Sequence, residues 1–140
     1  MEKSKIKTGF TCGSFDLLHA GHIVMLEECL SFCDRLIVGL QTDPSIERPH
    51  KNKPIQSLVE RYIQLKAVKF IDEVIPYEVE NDLEEILKSV KIDVRIIGAD
   101  WKGKDFTGKE LAGNLHKIVY NTRQHSFSSS ELRKRIEESK

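Results

Sequence analysis

From the 140 residues no membrane span, secretory leader or disulfide framework is expected, and each expected absence argues against a class of protein. Met1 to Lys7 is polar and charged, and the apolar stretch behind it is too short for a signal h-region or a bilayer crossing, so a cytoplasmic protein without membrane partners is expected. Cysteine is scarce and odd in number: Cys12, Cys29 and Cys33, in a chain without secretory features, are expected to be reduced thiols. An excess of either charge is missing too. Lys plus Arg and Asp plus Glu stand at 22 each, so no global field recruits nucleic acid, and any attraction for phosphate must come from local clusters. No repeat or low-complexity tract interrupts the chain, and residues 1–140 are read as a single domain.

What is present is an alternation. Strand-like runs at Lys5 to Phe10, Arg35 to Leu40, Glu73 to Ile75, Asp93 to Ile97 and Lys117 to Tyr120 are interleaved with helical patterns at His22 to Phe32, Leu58 to Phe70, Leu83 to Val90 and Ser129 to Glu138. That is the rhythm of an α/β, Rossmann-like parallel sheet with helices on both faces, and the near-continuous apolar runs around Ile37 and Ile96 suit strands covered twice. Ligands in such sheets bind beyond the carboxyl ends of the strands. The segments around His19, Asp100 and Arg123 follow the first, fourth and fifth strands and should gather at that edge. Pro44, Pro49 and Pro54 keep 42–56 from being a helix; with Arg48, His50, Lys51 and Lys53 it is either a solvated surface connection or a basic loop closing over phosphate.

The most informative stretch is Gly13 to His22, where His19 and His22 flank Ala20 and Gly21 between a strand and a helix. A helix start presents unpaired N–H groups to anions, imidazoles three apart can face one side, and Gly21 lets a ligand approach the backbone. The alternative use of the two histidines is a metal site, but only Asp16 lies close and no second cluster has zinc spacing, so no metal ligands are assigned. Cys29 and Cys33, four apart on the same helix, read as core residues, with metal ligation as the alternative. At the last helix, Ser128 and Glu131 fit a capping box, while Ser128, Ser129 and Ser130 behind Arg123 also suit an anion cradle.

His-x-Gly-His preceded by Gly-Ser-Phe-Asp-Leu-Leu resembles the signature of the HxGH nucleotidyltransferases, and among them the cytidylyltransferases, notably those acting on glycerol 3-phosphate. The resemblance continues through Arg61, Phe70 to Pro76, Gly98 to Lys104, and Arg123 ahead of the serines, and so covers nearly the whole chain. It implies transfer of CMP from CTP, carried with Mg²⁺ on the triphosphate, to a small phosphorylated acceptor, with release of pyrophosphate. It further implies His19, His22, Arg123 and Lys51 as catalytic residues. The nucleotide would meet Ser14, Phe15, Gly21, Asp100 and Ser128 to Ser130 besides, and the acceptor Asp16, Lys53, Arg61 and Trp101. A homodimer is implied as well.

The chain departs from that pattern in places. Gln124 to Phe127 replace the usual residues between the arginine and the serines, Lys69 stands for an arginine, and Leu83 falls where glycerol-3-phosphate enzymes carry an acceptor-binding lysine. A phosphorylated amino alcohol, sugar phosphate or amino-acid derivative are therefore alternative acceptors. ATP in place of CTP, which adenylyltransferases with the same motif use, is the alternative donor, and a non-catalytic nucleotide-binding regulator is the alternative outside enzymes. A synthetase fragment fails on length, neutral charge and the lack of a KMSK-like loop.

Overall fold

The computed structural model describes residues 5–122 and 127–140. Its strands β1 (Thr8–Gly13), β2 (Arg35–Gln41), β3 (Glu73–Tyr77), β4 (Val94–Ile97) and β5 (Lys117–Tyr120) form one sheet in the order β3-β2-β1-β4-β5, every neighbouring pair parallel. The connecting helices are α1 (Ala20–Cys29), α2 (Leu58–Lys66) and α3 (Glu80–Ser89), and α4 (Ser129–Glu138) closes the chain. The expected Rossmann-like α/β alternation is thus present.

Boundaries moved for identifiable reasons. β1 begins at Thr8 and runs on to Gly13 because six consecutive residues pair in register with β2, drawing polar Thr11 and Cys12 into a ladder that periodicity alone does not require. α3 begins at Glu80 rather than Leu83 because acids from two places satisfy its first N–H groups: Asp82 accepts from Val79 at 3.2 Å and Glu47 from Glu80 at 2.6 Å. α2 stops at Lys66, after which the chain tightens into short turns up to Ile71.

The two faces carry separate cores. Leu26 and Cys29 of α1 and Leu65 of α2 pack on Leu36, Val38, Leu40 and Ile96, whereas Leu83 and Leu87 of α3 pack on Phe10, Ile37 and Tyr77. Chain direction explains the division. Moving outward from β1 to β2 and β3 puts crossovers on one face, and returning past β1 to β4 puts the next on the other, so β1 and β4 diverge at their carboxyl ends and open a crevice. Cys29 and Cys33 are core residues, as expected: the Cys33 thiol donates to the Cys29 carbonyl at 3.2 Å and burial pushes the Cys29 thiol up to about 12. All three cysteines are free, and among the described residues no three His, Cys, Asp or Glu side chains are grouped to hold a metal. Among them, too, no helix is long and apolar enough to cross a membrane.

Candidate active site

His19 is the N-cap of α1, and its side chain does the capping. Its Nδ1 accepts from the Gly21 N–H at 3.0 Å, while Nδ1 of His22 accepts from the His19 N–H at 3.2 Å. A backbone N–H can only donate, so both Nδ1 atoms are acceptors and each ring carries its hydrogen on Nε2. The rings lie 4.0 Å apart at 36°, and Phe15 supports the second of them at 5.5 Å. Burial first, and His19 next, pull the His22 imidazole from its ordinary 6.5 down to about 4, with Asp16 pulling weakly the other way. His22 is therefore a neutral N–H donor at physiological pH. Gly21 is obligatory here, since a Cβ would lie 2.7 Å from Cε1 of His19 and 3.0 Å from the Phe127 carbonyl oxygen.

Two cavities meet over the crevice. One of about 440 Å³ is lined by His19, Gly21, His22, Asp100, Ser128 and Ser129 among others, and one of about 500 Å³ by Ser14, Gln41, Arg48, Lys51, Arg95 and Phe106 among others. Thr11, Cys12, Gly98 and Trp101 border both. Histidines from the β1 end, Asp100 from the β4 end and serines from α4 thus converge, as the strand order requires. Ser129 Oγ lies 3.2 Å from His19 Nε2, and Ser128 caps α4 by accepting from the Glu131 N–H at 3.0 Å. Lys51 stands 5.8 Å over the Trp101 ring, so the 42–57 connection reaches across the larger cavity to the β4 end.

Several expected residues are elsewhere. Arg61, expected on the acceptor, is only 2% exposed and lines neither cavity. It donates to four carbonyls, those of Ser14 at 3.0 Å, Gln41 at 2.7 Å, Thr42 at 2.6 Å and Gln56 at 3.2 Å, which correct its role to that of a latch. Asp16 is corrected likewise: its carboxylate accepts from the N–H groups of Ile55 at 2.8 Å and Gln56 at 2.9 Å and pairs with Arg133 at 3.3 Å. These bonds hold Phe15 and Leu17 in the left-handed region, at φ 49° and 52°, where bulky side chains rarely sit. Phe15 is a buried core ring, and Ser14 faces the larger cavity rather than the histidines. Lys53 and Ser130 are exposed and line neither cavity. Arg123 lies outside the described residues, as do Gln124 to Ser126 of the altered segment.

Sequence reasoning missed Gln56, whose side chain accepts from the Leu17 N–H at 2.8 Å, and Arg95, on the floor of the larger cavity. The first had no signal. The second had one, a charged residue inside the apolar run Val94 to Ile97.

The comparisons agree with this geometry. The Cytidylyltransferase-like family model matches residues 10–135. The chain is 35% identical over 140 residues to the bifunctional protein HldE of Campylobacter concisus, covering 99% of this chain but 29% of that protein, so it spans about three-tenths of the curated relatives' length. Among solved structures, the lipopolysaccharide core biosynthesis protein of Thermoplasma volcanium superposes with a TM-score of 0.71 at 27% identity, over 86% of this chain and all of the other. Pantoate-beta-alanine ligase of Francisella tularensis, solved with beta-gamma ATP and beta-alanine, shares the fold at a TM-score of 0.59 and 17% identity, over 91% of this chain and 65% of that one. With its HxGH turn at the switch point of a parallel sheet, the chain belongs to the cytidylyltransferase-like family of nucleotidyltransferases.

Proposed function

We propose that the chain transfers AMP from ATP to a small phosphorylated acceptor, releasing pyrophosphate. The observation that carries the reading is the pair of imidazoles whose Nδ1 atoms are occupied by backbone donors, leaving Nε2 to donate, at the start of a helix and beside a second cavity of acceptor size. The triphosphate would occupy the smaller cavity and the acceptor the larger, with the shared border of Thr11, Cys12, Gly98 and Trp101 between them. An acceptor phosphate oxygen forms a bond to the α-phosphorus as the bond to the β-phosphate oxygen breaks, and the electron pair leaves with pyrophosphate. His19 and His22 donate to the oxygens on which charge grows, a contribution of about 2.7–4 kcal/mol for a well-placed donor. Mg²⁺ would arrive on the triphosphate and supply charge neutralisation there.

CTP, the first expectation for the donor, gives way to ATP. Similarity to the bifunctional HldE proteins supports this, as does a fold that holds beta-gamma ATP in the Francisella ligase. A glycerol 3-phosphate acceptor loses support at Leu83, which is buried in the α3 core on the wall of the larger cavity where a lysine would have been needed. The Thermoplasma protein's place in lipopolysaccharide core biosynthesis makes sugar phosphates the first acceptors to assay. We further propose a homodimer, covering the stripe formed by Ile55, Val59 and Ile63, which are 70%, 66% and 63% exposed. The test of function is pyrophosphate release with Mg²⁺, ATP or CTP and a panel of phosphorylated acceptors. Release requiring ATP and one acceptor is expected; release with CTP alone would restore the cytidylyl assignment.

A further inference from the structure

Arg95 is the one charged residue of β4, and it is 2% exposed. Its register partner across the ladder is Phe10, so it stands on the apolar α3 face of the sheet. Nη1 donates to the Thr107 carbonyl and the guanidinium lies 5.2 Å from the Phe106 ring, but Nε is buried with no partner. Among the described residues no carboxylate pairs with it. The acids on the cavity wall are engaged elsewhere, Glu80 with Arg48 at 2.6 Å and Asp105 with Lys109 at 3.7 Å. Its buried neighbour His116, with both ring nitrogens unpartnered, is held neutral by burial and by the arginine's charge, and so offers no compensation. A buried guanidinium left without a counter-charge is strongly unfavourable unless something arriving in the cavity supplies one.

Its position says which part of that arrival it meets. Arg95 lines the larger cavity and not the one holding the histidines. A Cβ at Gly108 would come within 2.9 Å of Arg95 Nη1 and 2.5 Å of Leu87 Cδ1, so the guanidinium lies beside the last turns of α3, toward the amino end of the strands. The reacting phosphate belongs at the opposite, carboxyl end. Resting on the transfer reading above, we propose that Arg95 pairs with a second anionic group at the far end of the acceptor, which is therefore a small molecule with a phosphate at one end and a carboxylate or second phosphate at the other.

The probes are glycerol 3-phosphate, 3-phosphoglycerate and propanediol bisphosphate, titrated calorimetrically into the full chain without nucleotide, in the unmodified protein and in Arg95→Lys and Arg95→Met. The two ligands anionic at both ends should bind at least about tenfold more tightly than glycerol 3-phosphate, the order expected for a hydrogen-bonded charge pair. Arg95→Met should abolish that preference and Arg95→Lys keep part of it, and the tighter of the two ligands tells a carboxylate from a phosphate. Equal binding of all three, binding of none, or a preference that survives in Arg95→Met overturns the inference; should Arg95→Met not fold, the unmodified protein and Arg95→Lys still decide it. Pyrophosphate release with ATP and the same ligands separates the two readings. Arginine-dependent binding with no release from these ligands or from the sugar-phosphate panel removes the transfer reading alone, and release as fast with glycerol 3-phosphate as with the others removes this one alone.

Discussion

A histidine in this site is defined by which of its nitrogens is already used. Because backbone donors occupy Nδ1 of both His19 and His22, the active atoms are two Nε2–H groups of fixed direction, and removing a ring should act on the transition state and, more modestly, on the cap of α1. His19→Ala and His22→Ala are expected to lower kcat by about a hundredfold or more and, because each ring also accepts a backbone N–H at the start of α1, to cost about 0.5–2 kcal/mol of stability while the fold persists, measured by pyrophosphate release and by unfolding followed with circular dichroism. The low pKa of His22 has a second consequence. Between about 6.5 and about 4 the unfolded ring binds a proton that the folded ring refuses, so stability is full above that window and falls as pH drops through it. Urea unfolding near pH 5 should show a loss of about 2 kcal/mol relative to neutral pH, and His22→Gln should lack that component. The histidines and Gly21 were legible because their chemistry sits in one short stretch. Arg61 and Asp16 were misread because charge alone does not say whether a fork or a carboxylate will meet a ligand or a backbone.

Those two residues matter at the scale of elements, where they join the turn after β1 to the end of β2 and the start of α2. Arg61 ties four carbonyls and Asp16 two N–H groups, and both sets of bonds converge on the turn that aims the histidines. Arg61→Leu should cost roughly 2–4 kcal/mol in chemical denaturation, because the carbonyls lose their donors while remaining mostly buried. It should also raise KM for the nucleotide more than it lowers kcat. An unchanged urea midpoint would return Arg61 to the role of ligand. Element order was readable from hydrophobic rhythm, since each strand and helix carries its own period. Element ends were less so: β1 gained its last residues from pairing with β2, and α3 its first turn from Glu47, a residue distant in sequence.

At the scale of the whole molecule, the exposed apolar stripe of Ile55, Val59 and Ile63, running from the end of the 42–57 connection onto α2, is the surface on which the dimer proposal rests. Sedimentation should show a dimer, and Ile63→Glu should shift it to monomer; a monomeric unmodified protein at tens of micromolar, roughly the range where weak interfaces associate, would remove the dimer. The site's existence was legible as a convergence of loops at one sheet edge, whereas its division into two cavities was not, because the partition depends on how the 42–57 connection and the turn after β4 lean together through Lys51 and Trp101. That partition bears on stereochemistry. Donor and acceptor facing each other across one border admit a single displacement, so a phosphorothioate at the α-position should emerge with its handedness inverted, and retention would reveal an enzyme-bound intermediate and a nucleophile not yet identified.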